Sequence, residues 1–240
     1  QAIKWRFSRP TIWIACIALS LILALGSFVF YNTNVLNPYL GTSGMNKRMA
    51  AYEKRYSQYR NAPQPQVTST KLLVELYPNR QEVKIQAAYT LVNRGTLPID
   101  AMHIGSKFGV VPGEVRFNRQ AAVVQIDKEL GHQIYALKQP LGPGDSLQLN
   151  FSVYDKREGF QNTGPKSLVV KNGTYFTNYD LLPAIGYQRY KEMADPINRK
   201  KLKLAARPAI PSLNDREART KPFSPDQTTL EVIIGTTKDE

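Results

Sequence analysis

The sequence predicts a mainly β fold: an antiparallel β-sandwich or bent-sheet domain preceded by one transmembrane helix and an amphipathic connector helix. Three observations predict it. An uncharged apolar run occupies residues 12–31, a spacing of three and four governs residues 45–59, and from residue 67 the period falls to two.

The run reads IWIACIALSLILALGSFVFY. As a helix at about 1.5 Å per residue it spans roughly 30 Å, the hydrocarbon thickness of a bilayer. Trp5, Phe7 and Trp13 flank one end and Phe28, Phe30, Tyr31 and Tyr39 the other, as interfacial aromatic belts do. Lys4, Arg6 and Arg9 precede the run, and the next cation is Lys47. This asymmetry places the N-terminal flank in the cytoplasm and residues after about 32 outside it. A cleavable signal would have a shorter apolar region and a small-residue cleavage site, whereas bulky FVFY follows here. Residues 32–40 read as a polar exit, with Pro38 breaking the helix.

Met45, Met49, Tyr52, Tyr56 and Tyr59 lie on one face of a helix, with most of the cations of that stretch on its other faces. Pro63 and Pro65 end it. Such a basic helix suits a lipid surface, RNA, or its own domain as a docked connector. Alternation then predicts two strands around 72–76 and 83–91, joined by a turn at 78–80. Further strands are expected at 101–108, 114–117, 122–126, 133–137 and 146–154, with short ones at 174–178 and 229–234. A short helix is expected around 198–204 and extended coil around 208–211.

Lys and Arg number 32 against 19 Asp and Glu, a formal charge of +13, most of it dispersed beyond the first eleven residues. A domain beside anionic lipid gains from that surplus. Neither a recognition helix nor an aromatic strand signature accompanies it, so no nucleic-acid partner is expected. The single cysteine, Cys16, excludes a disulfide framework and a multi-cysteine zinc site. His103 and His132 are too few for an all-protein catalytic zinc site. His103 reads as a packed or surface residue, and His132, after Gly131, as solvated. Asp127, Glu129 and Asp145 have no evident partners. H-E-x-x-H, G-x-S-x-G, phosphate-loop and C-x-x-C motifs are absent. Asn172-Gly173-Thr174 fits a glycosylation acceptor pattern but reads better as a turn.

The stretches FVFYNTNVLNPYL, YEKRYSQYRNAPQP, VELYPNRQEVKIQAAYTLVNRG, NGTYFTNYDLLPAIGYQ and DPINRKK, in that order, resemble one bacterial family. It comprises large inner-membrane proteins in which an ABC-2-type transporter permease is fused to an aminopeptidase N-like zinc metallopeptidase. YNTNVLN and LLPAIGYQ are the most specific pieces. The resemblance implies a permease membrane helix with its flanks at residues 1–40 and a helical connector at 41–66. Residues 67–240 would be the extracytoplasmic β-domain that covers the peptidase cleft. It implies a piece of a longer hydrolase, cut before the catalytic domain. No catalytic residue, metal ligand or cofactor is then expected in this chain, zinc belonging to the downstream domain. The implied partners are the lipid bilayer, that downstream domain, the ATPase subunit of the transporter, and a peptide substrate. Relatives hold the substrate's free amine with a Gln or Glu of this domain. The matching stretch, residues 177–180, makes Asn178 and Asp180 candidate substrate-binding residues, with Asn a departure from the family's Gln or Glu. Both residues also suit a turn. The competing function is a single-pass, membrane-anchored extracytoplasmic binding module without enzymatic activity.

Overall fold

The computed structural model describes residues 9–37, 40–110, 112–156, 158–160, 168–171, 173–207, 212, 214–216 and 228–236. The expectations placed on Lys4, Trp5, Arg6, Phe7, Pro38, Tyr39, Asn172 and residues 208–211 fall outside them. The chain divides into two compact units: residues 1–40 with 157–167, and residues 41–156 with 168–240.

The first unit is built on α1 (Arg9–Phe30), none of whose residues is buried. The helix runs on into the polar exit segment. It continues through a π-helical turn, Tyr31–Leu36. Polar side chains sustain it there: Asn32 Nδ2 donates to the Phe28 carbonyl at 2.8 Å and the Thr33 hydroxyl to the Val29 carbonyl at 2.9 Å. Asn37 then leaves helical geometry (φ −123°, ψ 82°), the conformation forced on a residue before proline. Its side-chain amide donates to the carbonyls of Asn32, Glu158 and Phe160 at 3.0, 2.9 and 3.2 Å. From Arg9 to Leu36 the helix is long and apolar enough to cross a membrane.

The second unit opens with α2 (Thr42–Tyr56), followed by β1 (Gln66–Tyr77), β2 (Glu82–Val92), β3 (Ile99–Gly105), β4 (Val115–Phe117), β5 (Ala121–Asp127), β6 (His132–Leu141) and β7 (Ser146–Lys156). Then come α3 (Asn178–Leu181), β8 (Ala184–Ile185), α4 (Pro196–Lys201) and β9 (Thr229–Thr236). Two sheets form, one ordered β4-β7-β2-β1-β9 and the other β5-β6-β3-β8. Every pairing is antiparallel except β1 with β9, so the first sheet is mixed. β9 reaches β1 from far along the chain rather than through a hairpin, which frees it from antiparallel order.

Alternation carries the core. Val83, Ile85, Ala87, Tyr89 and Leu91 of β2 and Leu147, Leu149, Phe151 and Val153 of β7 are buried. They meet Met102 and Ile104 of β3 and Tyr135 and Leu137 of β6 from the other sheet. At about 1.5–3 kcal/mol per buried large apolar side chain, this layer is the main stabilising element of the domain.

Two local differences from the expected elements have simple causes. Residues 173–177 are coil rather than strand, because a capping contact starts α3 at Asn178. α4 starts at Pro196, not residue 198. Asp195 Oδ1 accepts from the Asn198 backbone N–H at 2.7 Å, and Pro196 takes the first helical turn, where its missing N–H costs nothing.

Candidate functional site

Asn178 and Asp180 sit at the start of α3. The sequence Thr177-x-x-Asp180 is a capping pattern. Asp180 Oδ2 accepts from the Thr177 backbone N–H and from its hydroxyl, each at 2.7 Å. The other oxygen, Oδ1, takes the Lys107 ammonium at 2.6 Å. Lys107, then both Thr177 donors, hold the Asp180 carboxyl down to about 2. The carboxylate therefore already binds an ammonium group, supplied by its own chain. Asn178 is exposed, and its neighbour Tyr179 is 73% exposed, as Tyr175 is at 81%. Both candidates thus lie on one surface turn, with Asp180 engaged and Asn178 facing solvent.

A second constellation lies between α2 and the outer face of the four-stranded sheet. α2 buries Ala50, Tyr52, Glu53 and Tyr56, the face that carries its tyrosines. Against them stand His103 of β3, His132 and Ile134 of β6, and Tyr187. Tyr52 stacks on Tyr187 at 5.2 Å, and its hydroxyl oxygen accepts from the Gln188 backbone N–H at 2.8 Å. Burial raises its pKa. His132 is not solvated as expected but fully buried, because the turn at Gly131 folds beneath α2. Its Nε2 lies 3.1 Å from His103 Nδ1, so one ring donates and the other accepts. Burial, then His103, then Lys191, hold His132 down at about 3, and burial lowers His103. Both rings are neutral at pH 7. The His132 Nδ1 atom has no hydrogen-bond partner among the described residues.

Asp127 is partnered, contrary to expectation. Its Oδ2 takes the Arg55 guanidinium at 2.6 Å and the Tyr56 hydroxyl at 2.8 Å, and Oδ1 takes the Leu130 N–H at 2.9 Å. Burial alone would raise its pKa; these donors outweigh burial and lower it. Tyr56 is pushed up to about 12, first by burial and then by Asp127. Lys191 is 2% exposed. Its ammonium donates to the carbonyls of Leu130 and Gly131 at 3.0 and 2.8 Å and lies over the Tyr52 ring at 4.9 Å. Burial pulls it down to about 7, with Asp127 partly opposing.

Beside this cluster runs a chain of ion pairs. Arg199 grips Glu53 bidentately at 2.8 and 2.7 Å. Arg60 Nη2 lies 3.7 Å from Glu53 and 2.8 Å from Glu192. Arg207 reaches the second Glu192 oxygen at 3.0 Å. Burial raises Glu192, but Tyr187 and Arg60 outweigh it and the carboxyl stays low.

The residues present do not fit a catalytic zinc. Tyr59 and Tyr56 cover the two histidines, with ring centroids 4.4 Å from His103 and 4.2 Å from His132, and no third ligand joins them. Among the described residues no group of three His, Cys, Asp or Glu side chains is placed to hold a metal ion. The buried cluster holds α2 to the sheet rather than facing a cleft. The tyrosine period on α2 was a signal that something would pack there. Nothing local marked His132 or Lys191 as its partners.

No family model matches the chain, and no curated protein does. Among solved structures it is similar to an M1 zinc metallopeptidase from Deinococcus radiodurans, at 18% identity and a TM-score of 0.32, over 40% of this chain and 21% of that one. A mutant of an M1 zinc metallopeptidase from Deinococcus radiodurans bound to a Tyr-Ser-Ala substrate gives the same values. In another mutant structure the match covers 42% of this chain and 24% of that one, again at 18% identity and a TM-score of 0.32. The chain thus covers less than a quarter of the length of the structures it matches.

Proposed function

We propose that this chain is the membrane-anchored, non-catalytic β-domain of a bacterial transporter-permease and metallo-aminopeptidase fusion, covering the peptidase cleft from outside the cytoplasm. The observation that carries this reading is the order of the family-like stretches along one chain. FVFYNTNVLNPYL lies at the end of α1, YEKRYSQYRNAPQP at the end of α2, and the YPNR turn joins β1 to β2. NGTYFTNYDLLPAIGYQ includes α3 and β8. An apolar helix of membrane-spanning length followed by a sandwich agrees with that order. In this reading α1 anchors the domain in the inner membrane, a downstream domain supplies the zinc, and the transporter ATPase acts on the cytoplasmic side.

On this reading Asn178 and Asp180 face the substrate's amino end. Lys107 occupies Asp180 in the free domain, and an incoming peptide ammonium displaces it. The test is the complete reading frame together with kinetics. A zinc motif H-E-x-x-H encoded downstream supports the assignment, and a stop codon directly after residue 240 overturns it in favour of a stand-alone binding module. In the complete protein, Asn178→Ala or Asp180→Ala is expected to lower kcat/KM roughly ten- to a hundred-fold with Tm retained, the loss of a charge-assisted hydrogen bond. Lower Tm with unchanged specific activity would reduce both residues to a helix-capping turn.

A further inference from the structure

The ion-pair chain borders a pocket of about 900 Å³ formed by the C-terminal half of α2 and residues 189–207. Its lining carries six cations, Lys54, Arg60, Arg189, Arg199, Lys203 and Arg207, against two carboxylates, Glu53 and Glu192. The carboxylates are consumed. The order Arg199–Glu53–Arg60–Glu192–Arg207 begins and ends on arginine, so the chain holds one more cation than anions. Arg199 is closed off: it is buried and also donates to the Met193 and Ala205 carbonyls at 2.6 and 2.7 Å. Arg207 is open. Its side chain is 39% exposed, and among the described residues only Nη2 is used, toward Glu192 and, at 3.4 Å, the Arg189 carbonyl. Lys54, Arg189 and Lys203 are exposed and have no carboxylate partner among the described residues.

We propose that this pocket binds a phosphate-bearing anion, which pairs with Arg207, Arg189, Lys54 and Lys203 and extends the alternating chain by one negative group. A guanidinium fork matches a phosphate bidentately, and the flexible lysines add point charges around it. A phosphate ester, at about −1.5 to −2, offsets more of the surplus than a single carboxylate does. The volume suits a group as large as a nucleotide or a phospholipid headgroup. The inference is independent of the peptidase reading, since none of these residues belongs to the turn at Asn178 and Asp180.

The test uses the full chain in neutral detergent. Thermal unfolding is followed against inorganic phosphate and pyrophosphate, with chloride at matched ionic strength as the control. A parallel arm uses phosphatidylcholine nanodiscs with and without phosphatidylglycerol. The expected result is a saturable rise in Tm with phosphate or pyrophosphate. Arg189→Gln combined with Arg207→Gln weakens the apparent affinity roughly tenfold or more. Protection by phosphatidylglycerol alone, lost in the same variant, assigns the phosphate to a lipid headgroup and equally supports the site. Should Arg207→Gln unfold the domain by stranding Glu192, Lys54→Gln with Arg189→Gln gives the same reading without touching an ion pair. Stabilisation no greater than with chloride in both arms, or equal in wild type and variants, overturns the proposal.

Discussion

The two faces of the β5-β6-β3-β8 sheet are built on opposite principles. The inner face presents Met102, Ile104, Tyr135 and Leu137 to the other sheet, and that layer is held by apolar burial. The outer face presents His103, His132 and Ile134 to α2, where tyrosines, a buried lysine and paired carboxylates meet. Apolar packing responds to changes in volume and is insensitive to pH. The outer face depends on its polar pairs, because low local dielectric strengthens satisfied pairs and penalises unsatisfied groups. One sheet therefore has a face whose stability is set by volume and a face whose stability is set by pairing and by pH.

The largest break is expected at Arg199→Met. It leaves Glu53 buried with only the 3.7 Å contact to Arg60, and the cost of an uncompensated buried charge is about 3–5 kcal/mol. Denaturant unfolding measures it. Replacing Glu53 and Arg199 together with apolar residues is expected to restore most of the loss, which an apolar-core mechanism does not predict.

Acidification separates the faces next. The folded-state pKa of His132, about 3, lies below its unfolded value of about 6.5. Its contribution is fully present above pH 6.5 and is lost progressively as pH falls from 6.5 toward 3. At pH 5 this amounts to about 2 kcal/mol. His103 acts in the same direction. Lys191 and Asp127 face the same pair, and both are charged at pH 5. His132→Gln is expected to flatten the stability profile between pH 7 and 5. Met102→Ala is expected to lower stability by about 3 kcal/mol at both pH values, shifting the profile without changing its shape.

The smallest effect is expected at Tyr56→Phe. It removes one of three donors to Asp127 while Arg55 and the Leu130 N–H remain, for a loss of about 1 kcal/mol in denaturant unfolding. A loss near zero would mean that Arg55 and the Leu130 N–H together suffice for the carboxylate.

The apolar layer beneath the inner face was legible in the sequence, because the period-two alternation of 83–91 in β2, on the facing sheet, is a local property of the chain. The long apolar run and the tyrosine spacing of α2 were local in the same sense. The outer face was not legible. His132 read as solvated because Gly131 marks a turn, and sequence cannot say which turns a helix will later cover. The partners of Asp127 lie about seventy residues away in α2. β9 pairs with β1 over an even longer separation, so neither its neighbour nor its parallel direction was visible. The strand expected at 174–178, where the structure has coil and then α3, is different. Thr177 and Asp180 spelled a capping pattern, and the aromatic and β-branched residues before it outweighed that signal.

Gly131 fixes where the charge of Lys191 comes to rest. Its φ of +59° turns the Leu130 and Gly131 carbonyls toward one point. A Cβ there would meet the Lys107 and Ser106 carbonyl oxygens at 2.3 and 2.6 Å. Every replacement is therefore penalised twice, by backbone conformation and by overlap with main-chain atoms that no rotamer change relieves. In a library of all single substitutions, residue 131 would stand out as a position without conservative exchanges. A hydrogen atom in place of a methyl group at one turn thus decides how much sequence drift the α2 interface can absorb.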